Sequence, residues 1–209
     1  VGEVAVGSMR VVALVCALLL AAALPASADQ VTDQIDLGKQ YYEEGDLGGA
    51  INELQFAIQD IRSQLAGQYR AGFPPAPTGW TYEDSEDDSS AAMAMFGGGT
   101  AVARTYTQEG GNGSIEARIS VDNPMIQGLA AMIGNPALIA ANPGAKRVRV
   151  GRDNAMVQFE EGGDGGQATL ILGGRIMLQL EGRGLENGQI LEDMTQAWQI
   201  DALKKIAGM

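Results

Sequence analysis

The stretch "GWTYEDSEDDSSAA" gathers Glu83, Asp84, Glu86, Asp87 and Asp88, oxygen ligands of the kind a hard cation takes. Their alternation is irregular and no glycine supplies the bend of a calcium loop, so the stretch reads as a solvated acidic loop. Met93 and Met95, with Met125, offer thioethers of the sort that bind copper(I). Methionine also fills irregular gaps in cores, and with Met132, Met156, Met177 and Met194 also present, packing is the simpler role. Glu160 and Glu181 fall on predicted neighbouring strands and form the carboxylate pair that a hydrolase needs; adjacent surface strands also produce such pairs by chance. "MFGGGTAVA" is glycine-rich, yet neither Lys-Ser/Thr nor a helix follows it. It is a turn or bulge rather than a phosphate loop.

The chain contains no histidine and one cysteine. Serine–histidine and cysteine–histidine nucleophile pairs are excluded, as are histidine-ligated zinc, copper and iron. What remains is carboxylate, lysine, tyrosine and hydroxyl chemistry, with no cofactor or metal site expected. A net charge of −12 opposes binding to nucleic acid or anionic lipid, both of which select basic faces.

The elements that must carry these groups begin after a leader. From Met9 the chain reads "MRVVALVCALLLAAALPASADQ": one arginine, an apolar run over 11–24, then Pro25 and Ala26-Ser27-Ala28. This is the pattern of a secretory signal peptide over 9–28, with cleavage after Ala28. The run falls short of the ~20 apolar residues of a membrane-spanning helix, so no span is expected once the signal is removed. Residues 1–8, with Glu3 where a signal is basic, read as upstream reading frame. Cys16 follows Val15 inside the apolar run and reads as filler of the signal. A periplasmic or otherwise exported chain is expected. Without cysteine, it must be held by its core, and about 180 residues suffice for one.

In "LGKQYYEEGDLGGAINELQFAIQDIRSQL", apolar residues recur at helical spacing on both sides of "EEGDLGG". Gly45 can end a first helix in the left-handed conformation and Asp46 can cap a second, expected to run to about Gln68. Gly38, Ala50 and Ala57 allow the two helices of this 29–70 hairpin to approach closely. The spacing of Leu37-Gly38, Tyr41, Gly45-Asp46, Ala50, Leu54 and Ala57 over residues 35–62 resembles a single tetratricopeptide repeat. That resemblance implies a peptide-docking surface, with Tyr41 and Tyr42 on it. Two departures accompany it: the closing proline is missing near Arg62, and no second copy follows, whereas about three repeats build a stable solenoid. One repeat cannot bury its own apolar face, so the hairpin is expected to pack on its neighbour domain or on another subunit, including a second copy.

"AGFPPAPTGW" breaks the helical pattern, and 71–90 reads as a Pro/Gly and acidic linker. Thereafter 100–108, 114–122, 146–151, 154–161, 167–174 and 175–184 alternate apolar with polar as half-buried strands do, separated by short glycine-rich turns that join antiparallel neighbours. Two short helices are expected over 123–144, each opened by Asn-Pro, and one amphipathic helix over 186–206. The fold class is therefore α+β: an N-terminal helical hairpin, then an antiparallel sheet over 91–209 with helices on one face. This domain resembles the exported α+β sheets of the PsbP-like and lipoprotein-carrier-like kind, and bacterial periplasmic proteins that open on "PPxPxGW".

Residues 124–143 carry no charge and are rich in Met, Ile, Leu and Ala. As a sheet cover they are core. As a lid, Met125, Leu129, Met132 and Leu138 would line an apolar groove, with Arg147, Arg149 and Arg152 placed to meet an anionic head group. The expected function is a non-enzymatic exported binding or protein-interaction protein. The alternatives are a carrier or sensor of an apolar, lipid-like ligand in that groove and a histidine-free carboxylate hydrolase.

Overall fold

A computed structural model describes residues 30–85, 99–133, 144–160 and 165–209, with backbone alone for 131–133. The leader, Met93 and Met95, the acids at 86–88 and Leu138 lie outside the described residues. The chain divides into two compact units, one ending at Ile61 and the other running from Arg62 to Met209.

Two helices make the first unit, α1 (Gln30–Glu44) and the start of α2 (Leu47–Tyr69). Gly45 stops α1 with φ +84°, a conformation that glycine adopts without a Cβ clash. Its amide donates to the Tyr42 carbonyl, and the Asp46 amide donates to the Tyr41 carbonyl, so two of α1's last carbonyls are satisfied in a Schellman turn. Asp46 then caps α2, its Oδ1 accepting from the Gly49 amide at 2.9 Å.

In the second unit seven strands form one antiparallel sheet: β1 (Trp80–Asp84), β2 (Thr100–Gln108), β3 (Ser114–Val121), β4 (Ala145–Val150), β5 (Asp153–Phe159), β6 (Gly166–Leu172) and β7 (Ile176–Arg183). Their spatial order is β1-β2-β3-β7-β6-β5-β4. The register stacks apolar residues in rows across the centre. Ile119 pairs with Leu178 and Leu178 with Leu170; Val121 pairs with Ile176 and Ile176 with Leu172. All six are at most 2 % exposed, and each such side chain contributes roughly 1.5–3 kcal/mol on burial. Between the paired Leu172 and Ile176 lies a three-residue turn, in which Gly173 and Gly174 take positive φ and the Arg175 amide donates to the Leu172 carbonyl.

The core face is covered from the C-terminus. The α4 helix (Gln189–Gln196), the α5 helix (Ile200–Ile206) and the turn between them contribute Leu191, Met194, Leu203 and Trp198 to the same buried cluster as the strands, and Tyr69 and Phe73 join them. A further helix, α3 (Pro124–Ile133), follows β3. Its start is as the Asn-Pro pattern predicts: Asn123 Oδ1 accepts from the Met125 amide at 2.9 Å, and Pro124 stands where its missing N–H costs nothing.

Two sequence expectations are corrected here. Part of the 71–90 linker is a strand: Trp80–Asp84 pairs along its whole length with β2. Charged residues hide an edge strand's alternation, and edge strands carry charge for a reason, since it discourages pairing with other chains. The 186–206 helix is two helices. The break lets Trp198 turn inward to within 5.6 Å of the Phe73 ring, while the Gln199 amide donates to the Gly72 carbonyl at 3.1 Å. A Cβ on Gly72 would come within 2.2 Å of Leu203, so this turn and α5 meet only through glycine. Tertiary packing overrides helical periodicity at that point.

Candidate functional site

The hairpin buries little of what makes it apolar. Its inner seam consists of small groups: Gly38, Ala50 and Ala57 are buried, and a Cβ on Gly38 would lie 3.0 Å from Leu54 Cγ and 3.4 Å from the Ala50 carbonyl. Gly49 is equally tight, against Asp46 Oδ2 and the Tyr41 ring. Because the helices approach on small residues, the large ones are displaced to the flanks. Tyr42 is 67 % exposed, Leu47 58 % and Ile51 56 %, while Ile35, Leu54, Ile58 and Ile61 lie between 40 % and 47 %.

These side chains are contiguous. Ile35, Gly38, Tyr42, Leu47, Ala50, Ile51 and Leu54, with Lys39, line a shallow cavity of about 390 Å³ between the helices. Its wall is apolar throughout, since Lys39 lends its aliphatic stem and sends its ammonium to Glu43, 3.9 Å away. Single exposed apolar residues need no explanation, whereas large contiguous apolar patches are uncommon on monomeric proteins. The sequence named Tyr41 and Tyr42 for this face. Tyr42 lies on it; Tyr41 is half-buried and packs against Gly49. Sequence reading did not single out Leu47, Ile51 or Ile58 as surface residues, since their helical period equally describes a core.

Of the other named residues, Met125, Leu129 and Met132 fall on α3, and Arg147 and Arg149 on β4. Met125 is 71 % exposed on α3 and Leu129 is half-buried; Met132 lies in that helix, where backbone alone is described. Arg147 and Arg149 are exposed on β4, opposite Met156 and Asn154, and the Arg149 Nε donates to the Gly151 carbonyl at 3.1 Å. β3, which leads into α3, is separated from β4 by three strands in the sheet order. The expected Glu160–Glu181 pair is corrected too: β6 lies between β5 and β7, and Glu181 stands in register with Glu116 and Gln167. Among the described residues no Asp or Glu is buried, and no group of three or more Asp, Glu, Cys or His side chains could hold a metal.

Two ion-pair clusters in the second unit were not legible in the sequence. Arg104, on the core face of β2, donates to both oxygens of Asp84, at 2.6 and 3.1 Å. Its guanidinium lies 4.1 Å from the Tyr82 ring centre and 4.8 Å from that of Phe73. Beside it Tyr106 is fully buried and donates its hydroxyl to the Pro74 carbonyl at 2.5 Å; burial pushes its pKa up to about 12. In the second cluster Asp122, at φ +54°, accepts two bonds from Arg175, at 2.7 and 2.8 Å. Those bonds hold its carboxyl below the usual carboxylate range. Arg175 also donates to the Ala207 carbonyl at 2.9 Å, so it ties the end of β3 to the C-terminus. Both clusters join elements through charge-assisted bonds.

Among the described residues no helix is long and apolar enough to cross a membrane. Compared with family models, with curated proteins and with solved structures, the chain matches none.

Proposed function

We propose that the chain is an exported, non-enzymatic interaction protein whose helical hairpin docks a helix of another polypeptide chain, with the α+β unit as its scaffold. One observation carries this reading: α1 and α2 present a continuous apolar face, Ile35 and Tyr42 beside Leu47, Ile51 and Leu54, that the fold leaves in water. Burying such a face is the main favourable contribution to helix-in-groove recognition. The tetratricopeptide-like spacing of the same residues supports docking of a peptide-like ligand, and the leader-like 9–28 supports export.

The test is made in the producing cell. A photo-crosslinking residue replacing Gln55, at the rim of the face, is expected to trap a second polypeptide; the same residue replacing Glu109, in the β2–β3 turn, is expected to trap none. Absence of any product at position 55 would end the docking reading. Export is checked separately by N-terminal sequencing of the recovered protein, expected to begin at Asp29.

A further inference from the structure

The exposed apolar residues of α2 follow a stricter rule than mere helical amphipathicity. Leu47, Ile51, Leu54, Ile58 and Ile61 are spaced by four, three, four and three, the 3.5-residue repeat of a helix seam. In that register Ile51 and Ile58 take the a positions, and Leu47, Leu54 and Ile61 take d. Across the groove, Ile35 and Tyr42 on α1 are one heptad apart and flank this seam. Two such faces brought together would build the apolar centre of a four-helix bundle.

Resting on the docking reading above, we infer that the occupant of this face is a second copy of the same chain, joined in a closed two-fold pair. Area and charge both favour that occupant. Ile35, Tyr42 and the five seam residues are each 40–67 % exposed; wholly covered, they supply several hundred Å², the scale of the ~800 Å² per partner of a stable interface. A two-fold pair buries the same patch on both copies and leaves nothing over.

The hairpin carries seven acidic residues and one lysine between 30 and 61, which at first favours a basic partner. The acids are not where such a partner needs them. Asp46, Glu53 and Asp60 share the c position, on the side of the buried Ala50 and Ala57. The outer flank of the seam, the e positions, carries Gly48, Gln55 and Arg62, with no carboxylate among them. On α1 the neighbours are Lys39 and Glu43, already paired, and Asp36 one heptad before Glu43. A basic helix would find no row of carboxylates along the seam, whereas a second copy meets an edge whose only charge on α2 is Arg62, at its far end.

Two measurements on the purified chain test this. Sedimentation equilibrium over a hundredfold concentration range is expected to show reversible association to twice the chain mass. Ile51→Glu should weaken it by about a hundredfold or more, as expected when a charge is buried unpaired at the centre of an interface. Ile51→Ala, the milder change, should weaken it less with unchanged circular dichroism. Phe56→Gln, on the opposite side of α2, should leave it unchanged. A chain that stays monomeric throughout overturns the inference, as does a dimer indifferent to both Ile51 variants or lost with Phe56→Gln. The Gln55 crosslink separates the two levels. A product of twice the chain mass supports the second copy; a product with a different protein alone overturns it and leaves the docking reading standing; no product overturns both.

Discussion

The two units spend the same kind of sequence in opposite ways. In the α+β unit, alternating apolar residues end in rows such as Ile119, Leu178 and Leu170, essentially sealed from water. In the hairpin, an apolar period just as regular buries glycine and alanine and leaves isoleucine, leucine and tyrosine outside. The contrast is visible along one helix. Up to Ile61 the stripe of α2 is exposed; from Leu65 and Ala66 to Tyr69 the same helix packs into the core cluster of the second unit. Periodicity states which residues share a face. What covers that face is decided by the elements available to cover it.

Truncation should expose the difference most strongly. Leu178→Ala, which opens a cavity at the sheet centre, is expected to cost about 3 kcal/mol, read as a lowered midpoint in chemical denaturation. Ile51→Ala, measured below the concentration at which the chain associates, should change stability by less than about 0.5 kcal/mol. Equal costs would mean that Ile51 is covered by its own chain in solution, and the comparison would collapse. Gly38→Leu comes next. With Leu54 and the Ala50 carbonyl already at contact distance from a Cβ at this position, a branched side chain must separate the helices, at about 2 kcal/mol. Hydrogen exchange should then quicken in α1 and in α2 up to Ile61, while the amides of β3 and β7 keep their rates. Slowing or no change in α1 would show that the small-residue seam is not what holds the hairpin.

Much of this architecture was legible beforehand, and the reasons are local. Gly45-Asp46 specify a stop and a cap through their own backbone and side chain, so the hairpin turn needs no tertiary information. The strands 100–108 and 114–121 announce themselves because one face is buried and the other is not, which writes alternation into the sequence. β1 was missed because an edge strand rich in charge loses that signature. The break at Ala197–Gln199 was missed because Trp198 fits either a helix face or an inward turn, and only the position of Phe73 decides between them. The candidate site was half legible. Tyr42 was named, but whether Leu47, Ile51 and Ile58 face a core or water depends on what lies opposite, which a helical period does not encode.

Arg104 offers a smaller test, within the α+β unit. Its guanidinium is largely buried between Phe73 and Tyr82, and its partner Asp84 is more accessible. Arg104→Ala removes both the packing and the ion pair and should cost about 2 kcal/mol, below the 3–5 of a fully buried pair because Asp84 can recover water. Lysine in the same place should restore little, since it cannot donate through two nitrogens or stack on the rings. Full rescue by lysine would reduce the site to a simple charge contact.

The smallest effect is one of pH, and it too separates the units. Tyr106 ionises near 10.0 when the chain is unfolded and is pushed up to about 12 in the fold, chiefly by burial; burial raises Tyr69 in the same direction. A folded pKa above the unfolded one means that the unfolded chain gives up its proton first. The stabilisation is therefore complete below pH 10 and drains away as the pH rises toward 12. Denaturation midpoints should fall across that window while phenolate absorbance from Tyr106 lags behind. Tyr106→Phe should cost about 1 kcal/mol at neutral pH, because the Pro74 carbonyl loses its donor, and should flatten the alkaline slope. A slope that survives this change would have to come from Tyr69 or from groups outside the sheet. In that case the buried phenol would be a packing feature of the α+β unit, not the source of its alkaline limit.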